Sequence, residues 1–153
     1  MREILFRGKA VNLNNGSKDF VYGQYVQNRD GKMIYSDTWE DGIQKHYVIE
    51  KTVGQYTGLT DKNGKKIFEG DIVKATITSN MEIGDYTKAD IGVVGYDNIG
   101  VLGIVKYYDN GVPVWSDIIL KLALSGAVID YSFEVIGNIH DNSELLKGDE
   151  NNG

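Results

Sequence analysis

The sequence predicts a mainly β protein built from short strands and tight turns, and three observations carry that expectation. Nineteen Gly and ten Tyr stand against one Pro in 153 residues, a composition suited to many turns joining aromatic and β-branched strands. Apolar and polar residues alternate with period two, most cleanly in Ile72-Val73-Lys74-Ala75-Thr76-Ile77-Thr78, which puts Val73, Ala75 and Ile77 on one inward face. The densest patterning lies in residues 53 to 73, where Asp61-Lys62-Asn63-Gly64 separates two β-prone runs. Asn-Gly there is a strong hairpin signal, because both residues tolerate positive φ.

Taken in order, Arg2 to Arg7 reads as a first strand with Ile4 and Phe6 on one face. Asn12 to Ser17 is a polar turn, and Phe20 to Val26 resumes the β pattern to complete a hairpin. Asn28-Arg29-Asp30-Gly31 turns the chain into Lys32-Met33-Ile34-Tyr35, whose shortness suits an edge strand. Trp39-Glu40-Asp41-Gly42 is a further turn before Lys45 to Ile49, where His46 reads as a strand histidine with a satisfied hydrogen bond. Lys66 to Val73 reads as one strand kinked or bulged at Gly70.

Beyond it, Ser79 to Ile91 loses the alternation and reads as a long excursion, a candidate binding loop. Gly92 to Asn98 and Gly103 to Gly111 echo each other as strand and turn, without the glycine spacing of a dinucleotide cradle. Ile118 to Ser125 fits either a helix or half of a hairpin, and the alternation of Leu120, Leu122 and Leu124 favours the hairpin. Phe133 to Ile139 is a closing strand, Asn142 or Ser143 caps a helical turn through Leu146, and 147–153 is a polar tail. Residues 1–146 are thus expected to form one β-rich domain, divisible into an N-terminal part, 1–52, and a barrel-like part, 53–146.

Composition excludes several function classes. Without Cys there is no disulfide, thiol nucleophile or thiolate metal site. The opening residues lack a signal-peptide core, and no apolar run reaches membrane-spanning length, so the expected location is the cytoplasm, with no membrane partner. A net charge of -6 argues against broad attraction to phosphate backbones, and Lys62, Lys65 and Lys66 read as a solvated hairpin tip.

Catalytic signals are thin. Glu69 and Asp71, two apart, would share a face on a regular strand, but Gly70 between them points to a turn where the acids meet water or bond backbone amides. His140-Asp141 is half of a relay or metal site at most, and the second histidine, His46, is distant in sequence. No nucleophile elbow is present. The aromatics Tyr56, Tyr107, Tyr108, Tyr131, Trp39 and Trp115 could stack bases, pack a core or serve a protein interface. No cofactor, metal site or enzymatic activity is expected. The candidate binding surface is Tyr56, Asp61, Asn63, Glu69 and Asp71.

Three blocks together resemble the YopX-like family of phage and prophage proteins. They are Met1 to Gly8 followed by Phe20-Val21-Tyr22-Gly23, then Gly54 to Val73, then Phe133 to Ile139 with Asn142-Ser143-Glu144-Leu145-Leu146. Ser143 stands where the family usually has proline, and residues 79 to 98 look like an insertion. The resemblance implies a β protein of phage or prophage origin in the host cytoplasm and brings no catalytic residue with it. The central block, the strand around Gly103 and the closing strand also look like a small SH3-like or partly open barrel, an analogy of pattern that leaves function open. The expected role is a non-enzymatic protein-interaction module that meets a host or phage protein and forms a homo-oligomer. The alternatives are a nucleic-acid-associated regulator and an unrecognised hydrolase joining Glu69 or Asp71 to His46 or His140.

Overall fold

A computed structural model describes residues 3–11, 19–81, 84–96, 102–107, 113–115 and 128–147. Among these residues the chain is mainly β, with eleven strands in antiparallel sheets and two short 3₁₀ turns. Two compact units divide it, Met1–Leu59 and Thr60–Gly153.

In the first unit β1 (Phe6–Lys9), β2 (Phe20–Asn28), β3 (Gly31–Thr38), β4 (Gly42–Tyr47) and β5 (Gly54–Thr60, its last residue opening the second unit) lie in the order β4-β3-β2-β1-β5. The β2 strand serves two neighbours in turn: Phe20 to Gly23 pair with β1, and Gln24 to Asn28 pair with β3. Gly23 stands at the change of partner, where a Cβ would fall 1.9 Å from the Tyr35 carbonyl oxygen. Glycine is required because two backbones meet there. The sheet also curls: Ala10 bridges Val48, the Val11 N–H donates to the Tyr47 carbonyl (2.7 Å), and the Ile49 N–H donates to the Lys9 carbonyl (2.9 Å). The end of β1 thereby reaches the end of β4, although the sheets do not close into a barrel.

Curling explains why Met33 and Ile34, adjacent on β3, are both buried; a flat sheet with one wet face would expose one of them. Each stabilises the fold by roughly 1.5–3 kcal/mol through burial. Val48 and Tyr56 complete this core, and Gly8 lets the Val48 and Ile34 side chains approach β1, at 3.2 and 3.3 Å from where a Cβ would sit. Buried Thr52, ending the 3₁₀ turn Glu50–Thr52, accepts a hydrogen bond from the Lys9 N–H (2.8 Å) and donates one to the Ile49 carbonyl.

Two sequence expectations change here. The first strand is Phe6–Lys9, not residues 2 to 7, and Ile4 is exposed; Phe6 is the first residue with strand partners on both sides, Gly23 and Gln55. The Lys32 to Tyr35 run belongs to an eight-residue strand between β2 and β4, so it is not an edge. The short apolar run Met33-Ile34-Tyr35 concealed how far the polar continuation, Ser36 to Thr38, stays paired.

The second unit begins with the turn Asp61–Lys65 and β6 (Lys66–Phe68), followed by β7 (Asp71–Met81), β8 (Gly84–Tyr96), β9 (Leu102–Tyr107), β10 (Pro113–Trp115) and β11 (Val128–Asn138). Its five-stranded sheet runs β10-β9-β8-β7-β11. The single proline opens the edge strand β10, where a missing N–H costs no ladder bond. Ile67, Val73 and Val94 form the core, with Phe133 and Val135 packed on it. The inward Val73 and Ala75 are buried as expected.

Three further expectations are corrected. Lys66 to Val73 is not one bulged strand: Glu69 and Gly70 turn the chain between β6 and β7, with Gly70 at φ +79. The described residues of Ser79 to Ile91 are paired strand and not loop, since β7 and β8 pair from Ile72↔Val93 to Met81↔Gly84. A backbone ladder needs no apolar alternation, so polar side chains concealed these strands. In the Asn-Gly turn Gly64 has positive φ (+80), but among the described residues no residue other than glycine does, Asn63 included. The echoing segments pair with each other, Val93↔Val105 through Tyr96↔Leu102. The closing strand lies in β11 except for Ile139, which falls in the turn after it, and the 3₁₀ turn is Ser143–Leu146, as expected. The turn at Asn12 to Ser17 and the ambiguous Ile118 to Ser125 lie outside the described residues.

Candidate interaction surface

The turn after β5 is built around Asp61. Its N–H donates to the Lys65 carbonyl (2.8 Å) and its carbonyl accepts from the Gly64 N–H (3.0 Å), the pattern of a type I turn followed by a left-handed glycine. Its carboxylate closes the same loop: Oδ1 accepts from the N–H groups of Asn63 (2.8 Å) and Lys65 (2.9 Å). Oδ2 accepts from the Val135 N–H on β11 (3.1 Å), 74 residues away. Beside it the Lys62 N–H donates to the Phe133 carbonyl (2.8 Å), and the Lys62 ammonium pairs with Glu134. The turn therefore covers part of the outer edge of β11. Burial pushes the Asp61 carboxyl up, but the bonds from Val135, Lys65 and Asn63, with the Lys65 charge, outweigh it and hold the pKa below its ordinary value.

The other acids are also absorbed locally. Asp71 is buried, and its Oδ2 accepts from the Phe68 N–H (2.8 Å), closing the Glu69-Gly70 turn. Glu69 is half-buried in that turn and Asn63 is exposed at the tip of its own. Tyr56 is buried in the first unit, its N–H donating to the Leu5 carbonyl (2.8 Å). Of the five residues singled out in the sequence, Asn63 alone is exposed, while Tyr56, Asp61 and Asp71 are buried.

The histidines serve structure in a similar way. His46 Nε2 lies 3.1 Å from Ser36 Oγ, the satisfied strand histidine expected. The His140 N–H donates to Asn138 Oδ1 (2.9 Å), and its ring lies against the Gly70 turn. Among the described residues no group of three or more His, Asp or Glu converges as a metal site.

In the first unit Ile4, Tyr22 and Leu59 are exposed singly, and a further set of exposed apolar side chains lies on β4 and the turn before it. Trp39 is wholly exposed at the tip of the β3–β4 hairpin (106%), and Ile43 is 75% exposed. Ile43, Lys45 and Tyr47 alternate onto one face of β4. Asp37 lies opposite Ile43, and Val11 lies opposite Tyr47 by the register of the Ala10↔Val48 bridge. Val11, Tyr47, Lys45 and Ile43 thus line up as an exposed stripe leading to Trp39. Lys45 Nζ lies 5.1 Å from the Tyr47 ring centroid, and a hydrogen bond with Tyr47, then that residue's charge, raises the lysine pKa. In the second unit the exposed large apolar side chains among the described residues are Ile91 and Leu145. Sequence reasoning missed the stripe, but a signal was present: a tryptophan inside an acidic turn cannot follow a strand into the core.

The protein-family model described as YopX protein matches residues 6–147. The chain belongs to the YopX family. No curated protein and no solved structure matches it. The blocks that carried the resemblance now have a physical relation: Asp61 and Lys62 of the central block bond Val135 and Phe133 of the closing block. In this YopX chain those motifs build the scaffold, and the exposed stripe lies mostly between the first two of them.

Proposed function

We propose that this YopX-family chain is a non-enzymatic protein-interaction module of phage or prophage origin, acting in the host cytoplasm on a host or phage protein. The observation that carries the reading is the fully exposed Trp39 continuing into exposed Ile43 and Tyr47. Aromatic side chains of this kind anchor protein interfaces, supplying large contact area at low entropic cost. The buried acids Asp61 and Asp71 support it, because their carboxylates are engaged by backbone N–H groups within turns.

The test is purification of tagged protein from infected host cells, with and without nuclease, in wild-type and Trp39→Ala forms. The expected result is a nuclease-resistant protein partner that the variant loses. Recovery that depends on nucleic acid and falls steeply with salt would replace this reading with the regulator. Catalytic turnover by the purified chain would replace it with an enzyme.

A further inference from the structure

Building on the reading of this chain as an interaction module, we infer that the outer edge of β4 takes up an extended segment of the partner protein as one further antiparallel strand. Ladder phase decides which groups are available. The Val48 N–H donates to the Lys32 carbonyl (3.0 Å), so Lys32 and Val48 face each other as a hydrogen-bonded pair. Such pairs alternate with non-hydrogen-bonded ones along an antiparallel ladder. By the β3–β4 register, Ile34↔His46 and Ser36↔Gln44 are then bonded pairs, while Tyr35↔Lys45 and Asp37↔Ile43 are not. The backbone N–H and C=O groups of Lys45 and Ile43 therefore point away from β3. Tyr47 has the same phase, and its carbonyl does accept from outside, from the Val11 N–H (2.7 Å). The chain thus already lays some of its own backbone, Ala10 and Val11, antiparallel along one end of this edge. Among the described residues no backbone group bonds the outward groups of Ile43 and Lys45, and both side chains are exposed.

Donors and acceptors spaced along an extended backbone are matched by another extended backbone. The flanking chemistry then selects its side chains. Residues opposite each other across a ladder share a face, so Lys45 calls for an acidic residue opposite it and Ile43 for an apolar one two positions on. The next position on that face lies beside the turn that carries Glu40 and Asp41, both exposed, and calls for a basic residue. An antiparallel strand passes Lys45, Ile43 and the turn in that order, so the segment reads acidic-x-apolar-x-basic from its N-terminal end. Val11 closes the row at Tyr47, which limits the added strand to the stretch between His46 and the turn. A lysine on a sheet edge opposes indiscriminate strand pairing, so the residue that guards this edge also chooses what may join it. With two hydrogen bonds at each of two bonded pairs, the contact is small and the binding weak.

The test is titration of an acetylated and amidated peptide, Glu-Thr-Val-Thr-Lys, into the isotope-labelled full chain, followed by amide NMR. In the free chain the Ile43 and Lys45 amides should exchange with solvent faster than those of Gln44 and His46. The peptide should move the Ile43 and Lys45 amides downfield, saturably, with a Kd of about 1 mM or tighter, and slow their exchange. N-methylation of the peptide valine, whose N–H would meet the Ile43 carbonyl, should weaken binding by at least about tenfold. N-methylation of the first threonine, whose N–H would face away from β4, should leave it unchanged. Lys45→Glu should weaken this peptide by about threefold or more and favour the version with lysine in place of its glutamate.

Edge amides that ignore the peptide, or binding indifferent to N-methylation of its valine, overturn the inference. Protection of the Ile43 and Lys45 amides by raising the protein concentration alone would put a second copy on the edge and overturn it as well. If the edge is silent yet Trp39→Ala still loses its partner from infected cells, the strand edge is overturned and the interaction module stands. Peptide binding at the edge, with no protein partner recovered from infected cells, supports the strand edge and overturns the host-partner reading.

Discussion

Two turns of this protein look alike in sequence and do opposite things. Asp61-Lys62-Asn63-Gly64 and Trp39-Glu40-Asp41-Gly42 each carry acid and end in a glycine of positive φ, +80 at Gly64 and +67 at Gly42. In the first, the aspartate folds back to collect N–H groups from its own loop and from β11. In the second, every side chain is exposed, and the hydrogen bond that shapes the tip comes from Thr38 Oγ1, which accepts from the Asp41 N–H (3.1 Å). The difference teaches that an acidic turn becomes structural when a strand edge with an unfilled N–H lies within reach of its carboxylate. Where none does, the turn is left to solvent and can display an aromatic.

The largest expected effect separates the two directly. Asp61→Ala removes an acceptor from three backbone N–H groups, one of them on β11, and should cost about 3 kcal/mol or more. Asp41→Ala should stay within about 0.5 kcal/mol. Urea denaturation of the three proteins checks this; equal losses would erase the distinction. A charge effect of smaller size comes next. The folded Asp61 carboxyl titrates below its ordinary range, so as pH falls the unfolded chain takes up the proton first. Its contribution is therefore complete above about pH 3.9, the unfolded value, and is lost as pH falls further through the folded pKa. Asp61→Asn should be less stable than wild type near neutrality, with the gap narrowing below about pH 4 in thermal melts.

The glycines sharpen the comparison by predicting no difference. Neither Gly42 nor Gly64 has a neighbour within 4 Å of where a Cβ would sit, so Gly42→Ala and Gly64→Ala should each cost about 1 kcal/mol through backbone conformation. A much larger loss at Gly64 would mean that the turn transmits strain to β11. The smallest effect on stability belongs to Trp39→Ala, within about 0.5 kcal/mol, because the ring contributes to no core. A marked fall in its melting temperature would show that the ring supports the fold of the single chain.

How legible the molecule was depended on whether a signal was local. The turns within Asn28 to Gly31, Trp39 to Gly42 and Asp61 to Gly64, the helical turn after Asn142 and the satisfied His46 follow from residues close in sequence, and these stand in the structure. The pairing of Ser79 to Met81 with Gly84 to Tyr86, and of the strand on to Ile91, was illegible, because it is carried by backbone groups that every residue type possesses. Asp61 was singled out as part of a binding surface, and its residue type was informative. Its partner, Val135, is 74 residues away, and a sequence does not announce which amide a carboxylate will find. Trp39 was read as a possible stacking aromatic, while its full exposure depends on where the β3–β4 hairpin ends.

By itself the sequence determined the β class, the turns within Asn28 to Gly31, Trp39 to Gly42 and Asp61 to Gly64, and membership in the YopX family, because alternation, glycine placement and motif order act over a few residues at a time. The tertiary structure decided which polar groups are spent and which remain for recognition. That division depends on burial and on long-range partners: the curl of the first sheet that buries both Met33 and Ile34, the β11 edge that captures Asp61, and the open hairpin tip that leaves Trp39 in water.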